Sequence, residues 1–257
     1  SKKACAYASK ISDVNVVSDS STNNFTDVED PKTWRISNKA DYFFYCANET
    51  VHGLEIHDPI ETNSPVICDM SSTIASRPID IDKYDLIFAG AQKNLGIAGV
   101  TIVIVKHELL SKTNKELLPI MDYSAHAEEA SMLNTSPVFS WYVSGLIFEW
   151  IHEQGGVEKM AQMNKSKSDL LYDYIDQSYF YSNPVSKPYR SWMNIPFTLS
   201  REDLDDEFLQ SAEEEGLLNL KGHRTVGGMR ASVYNAMPIE GIKKLISFMD
   251  EFAKLHE

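Results

Sequence analysis

The sequence has no long hydrophobic run. The longest, at residues 100–105, is the length of a strand and far short of the ~20 residues that cross a bilayer, so no membrane span is expected. Cysteine is scarce: Cys5, Cys46 and Cys68 are odd in number and scattered, without the paired spacing of a disulfide framework or a zinc site. That pattern excludes a disulfide-stapled secreted scaffold and points to a reducing compartment, read here as the cytoplasm. Positive charge is also short, with 24 Lys and Arg against 37 Asp and Glu and a net charge of −13. Nonspecific attraction to nucleic acid or to an anionic membrane is therefore disfavoured, and an anionic ligand must be captured by a local basic cluster. There is no P-loop, no dinucleotide glycine fingerprint, no internal repeat and no low-complexity tract. His152-Glu153 lacks the second histidine of a metalloprotease helix, and His52, His107, His126 and His256 read as solvent-facing or locally bonded, so no metal site is expected. Without a signal peptide, the glycosylation triplets at Asn24, Asn48 and Asn134 read as unmodified.

What is present is the composition of an ordinary globular chain: 257 residues, 43% hydrophobic and 24% charged, enough for one large domain or two smaller ones. Short β-rich apolar runs at 41–46, 65–70, 85–89 and 100–105 each end in a polar or small-residue turn. Continuous apolar runs of this kind suit a mainly parallel sheet covered on both faces, with chemistry gathered at the carboxyl ends of its strands. A polar connection over 110–137 leads to an aromatic-rich helix at 138–154, which Gly155-Gly156 would terminate. An amphipathic helix is expected over 157–175. Beyond it come a strand at 193–199, an acidic helix at 202–215, a strand at 229–233 and a closing helix from Pro238. Ile239, Ile242, Ile246, Met249 and Phe252 form the apolar stripe of that last helix. The fold class is α/β, with a large domain over 1–155 and a small α+β domain over 156–257.

Lys93 stands out chemically. It sits in Gly90-Ala91-Gln92-Lys93-Asn94-Leu95-Gly96, between two apolar runs, where small neighbours hold it near backbone and away from bulk water. Desolvation favours the neutral amine, which attacks a carbonyl to form a Schiff base; a solvated hairpin lysine is the other reading. Asp69 closes the run Val66-Ile67-Cys68-Asp69. It suits a carboxylate set against the ring nitrogen of pyridoxal phosphate, and equally a strand-end aspartate that accepts backbone N–H groups. Thr50 is placed to donate to the same ligand, or is a turn threonine. His223, Arg224 and Arg230 supply the basic cluster, unless the first two are only a solvated turn. Arg77, before Pro78, is either a substrate-side charge or half of a structural ion pair.

Taken together, Asn48-Glu49-Thr50, Asp69-Met70-Ser71-Ser72-Thr73, Ser76-Arg77-Pro78-Ile79-Asp80, Gly90-Ala91-Gln92-Lys93-Asn94, Asn134-Thr135, Lys221-Gly222-His223-Arg224 and Gly227-Gly228-Met229-Arg230-Ala231-Ser232 resemble the phosphoserine aminotransferase family. They occur in that family's order across nearly the whole chain, ending in Tyr234-Asn235-Ala236-Met237-Pro238. The resemblance implies the type I fold of pyridoxal-phosphate enzymes and a homodimer with shared active sites. It matches Lys93 to the lysine that forms the internal aldimine and Asp69 to the partner of the pyridine nitrogen. Thr50 and Gln92 match cofactor contacts, and Asn134 and Thr135 match residues that reach the cofactor phosphate of the neighbouring subunit. Arg230 matches the clamp on the substrate α-carboxylate, and His223 and Arg224 match residues that receive the distal phosphate or carboxylate. The implied reaction passes an amino group from glutamate to 3-phosphohydroxypyruvate. Related enzymes also serve a phosphorylated intermediate of pyridoxine synthesis.

The resemblance begins part-way into the family's length. The chain opens at Ser1, inside a helix-like pattern, so a large domain lacking its N-terminal segment is expected, without the family's ring-stacking aromatic and glycine-rich phosphate turn. Two other readings stand beside the transaminase. One is another aminotransferase or lyase of the same fold; a cysteine desulfurase would need a mobile nucleophilic cysteine, whereas Cys68 reads as buried and Cys46 as strand-internal. The other is a truncated, noncatalytic module that dimerises or binds a partner.

Overall fold

The computed structural model describes residues 1–112, 114 and 116–256; residues 113 and 115 of the polar connection, and 257, lie outside the described residues. The elements run α1 (Lys2–Ala8), β1 (Phe43–Cys46), β2 (Asn48–Glu49), β3 (Leu54–Glu55), β4 (Val66–Asp69), β5 (Leu86–Gly90), β6 (Thr101–Val105), α2 (His107–Leu110), α3 (Tyr123–Glu128), α4 (Val138–Glu153), α5 (Gly156–Gln177), β7 (Tyr181–Ser182), β8 (Asn194–Leu199), α6 (Asp205–Glu214), β9 (Met229–Ser232) and α7 (Ile239–His256). The four apolar runs read from the sequence form β1, β4, β5 and β6.

Those four strands make one sheet in the order β1-β4-β5-β6. β1 with β4 and β4 with β5 are parallel, while β5 and β6 are antiparallel. The register sets Cys46 opposite Asp69 and Asp69 opposite Phe88, so the carboxyl ends of the three parallel strands share one edge. Burial alternates along β1 and β4, and β6 is partly open to solvent. Among the described residues β6 lies at one edge of the sheet, paired with β5 alone.

Two hydrophobic cores form. The first gathers Phe43, Tyr45, Cys68, Ile87, Ala89 and Leu95 around the parallel sheet. The second is rich in aromatics, with Phe180, Tyr181, Phe197, Phe208 and Phe252 set between the antiparallel sheet β7-β8-β9 and helices α5, α6 and α7. α5 joins them, because Met160 packs on the first core and Leu171, Tyr172 and Ile175 pack on the second. The stripe on α7 buries Ile242, Leu245, Met249 and Phe252, whereas Ile239 and Ile246 lie at its margins.

α4 packs in an unusual sense. It turns Ser140, Ser144 and Ile151 inward and leaves Phe139, Trp141, Tyr142 and Phe148 exposed. Its small inner face is needed because the 91–100 turn passes close by: a Cβ on Gly96 would lie 2.6 Å from Ser144 Oγ. Among the described residues no helix is long and apolar enough to cross a membrane. All three cysteines are unpaired thiols.

Candidate active site

The turn after β5 carries Lys93. Leu95 N–H bonds to Ala91 C=O at 3.0 Å, and Ala91 N–H to Val100 C=O at 2.9 Å, which closes the loop onto the end of the hairpin. Asn94 clamps it from behind, donating to the carbonyls of Ser72 and Ile74 and accepting from Asn235 N–H. Lys93 Nζ is thereby aimed across the carboxyl edge of the sheet. It donates to Thr50 Oγ1 at 2.5 Å and to Ser72 Oγ at 2.7 Å, and those two hydroxyls lie 2.7 Å from each other. Burial pushes the Lys93 amine below its ordinary value; Asp69 opposes that shift and Arg230 adds to it. This lysine is therefore not the solvated hairpin residue that its antiparallel loop alone would suggest.

Asp69 ends β4. Its Oδ1 accepts the Ser71 N–H at 2.9 Å, and Ser71 Oγ in turn accepts the Gly90 N–H at 3.0 Å, so the turns after β4 and β5 are tied together. Arg230 reaches the cluster from β9, where Nη1 contacts the Thr50 carbonyl at 3.4 Å. Its Nε is buried and has no hydrogen-bond partner among the described residues. A buried charged donor left unpaired is costly, and an anionic ligand supplies the missing acceptor.

The structure thus brings Lys93, Thr50, Asp69 and Arg230 together. Gln92 is exposed next to Lys93, with its amide folded over Gly90. His223 and Arg224 are exposed on the turn before β9, and His223 Nδ1 meets Thr225 Oγ1 at 2.8 Å. Asn134 and Thr135 are exposed between α3 and α4, where Asn134 Nδ2 donates to the Thr135 carbonyl. Among the described residues no hydrogen bond links Asn134 or Thr135 to the Lys93 cluster. Arg77 resolves as structural: it pairs with the fully buried Glu55 and stacks over Trp192 at 5.3 Å. A pocket of about 400 Å³ opens beside that pair, but none of its lining residues belongs to the lysine cluster.

Three neighbours escaped the sequence reading. Ser72 was visible only as part of a Ser-rich turn. Cys46, opposite Asp69 at the end of β1, lies within electrostatic reach of Lys93, and burial pushes its thiol up. His52 is half-buried with its ring 4.7 Å from Phe25; burial pushes its imidazole down, and His223 lowers it further. Cys68 is buried and its thiol is pushed up to about 12, as expected of an inert cysteine.

A desolvated lysine and an acid stand at the carboxyl edge of a parallel sheet, with an arginine supplied by a second, smaller sheet, and the chain carrying them is a class V aminotransferase by its sequence. The sequence profile "Aminotransferase class-V" matches residues 4–245. The phosphoserine aminotransferase of Acinetobacter baylyi is 49% identical over 257 residues, which is all of this chain and 72% of that protein. The solved phosphoserine aminotransferase of Bacillus circulans subsp. alkalophilus superposes with a TM-score of 0.97 at 40% identity, over 100% of this chain and 72% of that one. That of Trichomonas vaginalis, solved with pyridoxal phosphate bound, gives 0.92 at 38% identity, over 97% and 72%. The chain belongs to the phosphoserine aminotransferase family.

Proposed function

We propose that this chain catalyses amino transfer from glutamate to 3-phosphohydroxypyruvate, giving 2-oxoglutarate and O-phosphoserine, with pyridoxal phosphate as cofactor. The observation that carries the reading is the convergence of a desolvated Lys93 with Asp69 and with an unpaired Arg230 donor. These residues fit the cofactor: a lysine to bond its aldehyde, a carboxylate suited to its ring nitrogen, and Thr50 and Gln92 to contact it. When bound, pyridoxal phosphate supplies an electron sink that makes the substrate α-proton acidic.

The chain's own residues do the rest. Lys93 Nζ, whose burial disfavours the charged ammonium, is the group placed to carry the α-proton as a general base. Arg230 orients the substrate α-carboxylate through its planar fork. His223 and Arg224 are assigned to the distal anion, and their exposure suits a group that must take phosphate in one half-reaction and carboxylate in the other. Asn134 and Thr135 are assigned to a second subunit's site. A homodimer is supported by the apolar face of α4, where Phe139 is 71% and Trp141 62% exposed. The reading also takes 1–155 as the cofactor-binding part and 156–257 as the small C-terminal part, with α5 shared between them. The unpaired thiols and acidic balance support a cytoplasmic location. A phosphorylated intermediate of pyridoxine synthesis is assigned as a second substrate.

Titration with pyridoxal phosphate, followed by assay with glutamate and 3-phosphohydroxypyruvate, tests the proposal. A visible absorbance band that is lost in Lys93→Ala, together with O-phosphoserine formation, is the expected result. A band that persists in Lys93→Ala would refute the lysine assignment. A lysine-dependent band without O-phosphoserine would refute the substrate.

A further inference from the structure

The groups of the site ride on separate segments: Asp69 and Ser72 at the end of β4, Lys93 on the turn after β5, and Arg230 on β9 of the small sheet. A reacting set must be held to within about 0.5 Å of its working geometry. The contacts of Lys93 Nζ cannot supply that frame, because Nζ is the atom whose bonds change during the reaction. The frame has to come from bonds elsewhere.

Asn235, just beyond β9, makes them. Its backbone N–H donates to Asn94 Oδ1 at 3.0 Å, one residue from Lys93. Its side-chain Nδ2 donates to the Ala75 carbonyl at 2.9 Å, on the turn that carries Ser72. Its Oδ1 accepts from Asn164 Nδ2 of α5 at 2.8 Å, and the same Nδ2 donates to the Ser76 carbonyl at 2.9 Å. Asn94 closes the circuit by donating to the carbonyls of Ser72 and Ile74, each at 3.2 Å. All three asparagines are buried. Ala75 stands at a φ of 55°, a left-handed conformation that is costly for a residue with a Cβ, and the amide bonds to Ile74, Ala75 and Ser76 hold the turn in it. Apolar packing could bury the same segments, but hydrogen bonds fix distance and direction as well.

We infer that Asn235 is a positioning residue for the reaction: it joins the end of β9 to the turns after β4 and β5, and so fixes Arg230, Asp69 and Lys93 relative to one another. The inference rests on the reading of Lys93 as the reacting amine. None of the bonds named above uses Lys93 Nζ, the Asp69 carboxylate or the Arg230 guanidinium, so the joint does not depend on what those groups hold.

Asn235→Ala cuts the side-chain link to Ala75. Asn94→Ala cuts the joint on the lysine side and decides the matter if the first variant fails to fold. Tyr181→Phe is the control for a buried hydrogen bond lost away from the site, since its hydroxyl donates to the Met249 carbonyl in the small core at 2.9 Å. Hydrogen–deuterium exchange of the full chain, with and without pyridoxal phosphate, is read by mass spectrometry. In either asparagine variant exchange should quicken by about tenfold in the peptides holding Ala91 and Leu95 and keep the parent's rate in α6. kcat should fall by about 10- to 100-fold, the effect of displacing a reacting group by about 1 Å. The rate at which the absorbance band forms on adding pyridoxal phosphate should fall with it, and the control should change none of these. Equal quickening in α6 would make Asn235 a fastener of the whole fold. An unmoved lysine turn would mean that the joint does not hold it, and a loosened turn with unchanged kcat and band formation would mean that its placement does not limit the reaction. Each of these overturns the inference. An unsubstituted chain that forms the lysine-dependent band without O-phosphoserine would remove only the substrate assignment, with exchange and band formation still deciding the role of Asn235. No band at all would remove the lysine reading and the positioning role with it.

Discussion

Among the described residues two lysines, Lys93 and Lys167, are drawn out of water, and their surroundings differ in kind. Lys167, on the buried face of α5, points at three backbone carbonyls, those of Val233, Tyr234 and Met237, at 3.2, 2.8 and 3.0 Å. Lys93 points at two side-chain hydroxyls, with Asp69 and Arg230 in electrostatic reach. Burial lowers the pKa of both. A carbonyl can only accept, so three of them match the three hydrogens of an ammonium, and one is stranded when the proton leaves. A hydroxyl can turn and donate, so the Lys93 pair accommodates either charge state. Desolvation thus serves different ends at the two sites: acceptors alone make a fastener, and reversible groups make an acid–base site.

Reciprocal substitutions give the strongest way to break this contrast. Lys93→Ala is expected to lower turnover by about 10³-fold or more, since it removes both the bond to the cofactor and the proton carrier. Stability should stay within about 1 kcal/mol of the parent, because surface or half-buried changes that strand no core group are mild. Lys167→Met should do the opposite, destabilising by about 3 kcal/mol through three carbonyls left without a donor. Any cofactor band in the folded fraction should survive. Denaturant titration alongside absorbance measures both, and a fully stable Lys167→Met would show that the carbonyls find other partners.

A smaller effect is expected at the rim of the reacting site. Arg230→Gln keeps a donor but loses the charge and the two-pronged fork, so KM for glutamate should rise by about 10- to 100-fold, from the 1.5–3 kcal/mol of a hydrogen bond to a charged group. kcat should fall less. An unchanged KM in steady-state assays would show that the buried, unpaired Nε serves the fold and not the substrate.

The two lysines also show how far the sequence can be read. Lys93 is legible because its Gly- and Ala-rich turn between two apolar runs is a local pattern. The strand end carrying Asp69 is legible for the same reason. Lys167 is not, although a signal was present: Met160, Asn164, Lys167, Leu171 and Ile175 recur at helical spacing and are the buried face of α5. A lysine on such a stripe is usually assigned to the polar side, and the segment 233–237 that receives it is remote in sequence. The antiparallel turn of β6 escapes for a related reason, since strand direction depends on where a ten-residue loop folds back. Ser72 meets Lys93 only through tertiary packing, so no spacing announces it. The resemblance to a known family supplied Asn134, Thr135, His223 and Arg224, which local physics alone leaves as polar loop residues.

The finest test of the contrast is a pH series on stability. Burial pushes the Lys167 ammonium down to about 8, against about 10.4 in an unfolded chain. Below pH 8 both states hold the proton, and the folded chain bears the full cost of a buried charge. Between about 8 and 10.4 the folded state sheds it while the unfolded state keeps it. The unfolded chain then binds more protons, so this lysine's contribution to stability rises with pH, by up to about 1.4 kcal/mol per unit. The folded lysine is only half deprotonated at pH 8 and about nine-tenths at pH 9, so the expected rise over that interval is about 1 kcal/mol. The rise should be absent from Lys167→Met, so the stability difference between parent and variant should widen with pH. Parallel curves from urea titrations at several pH values would mean that Lys167 stays charged throughout, with the carbonyl cage outweighing desolvation.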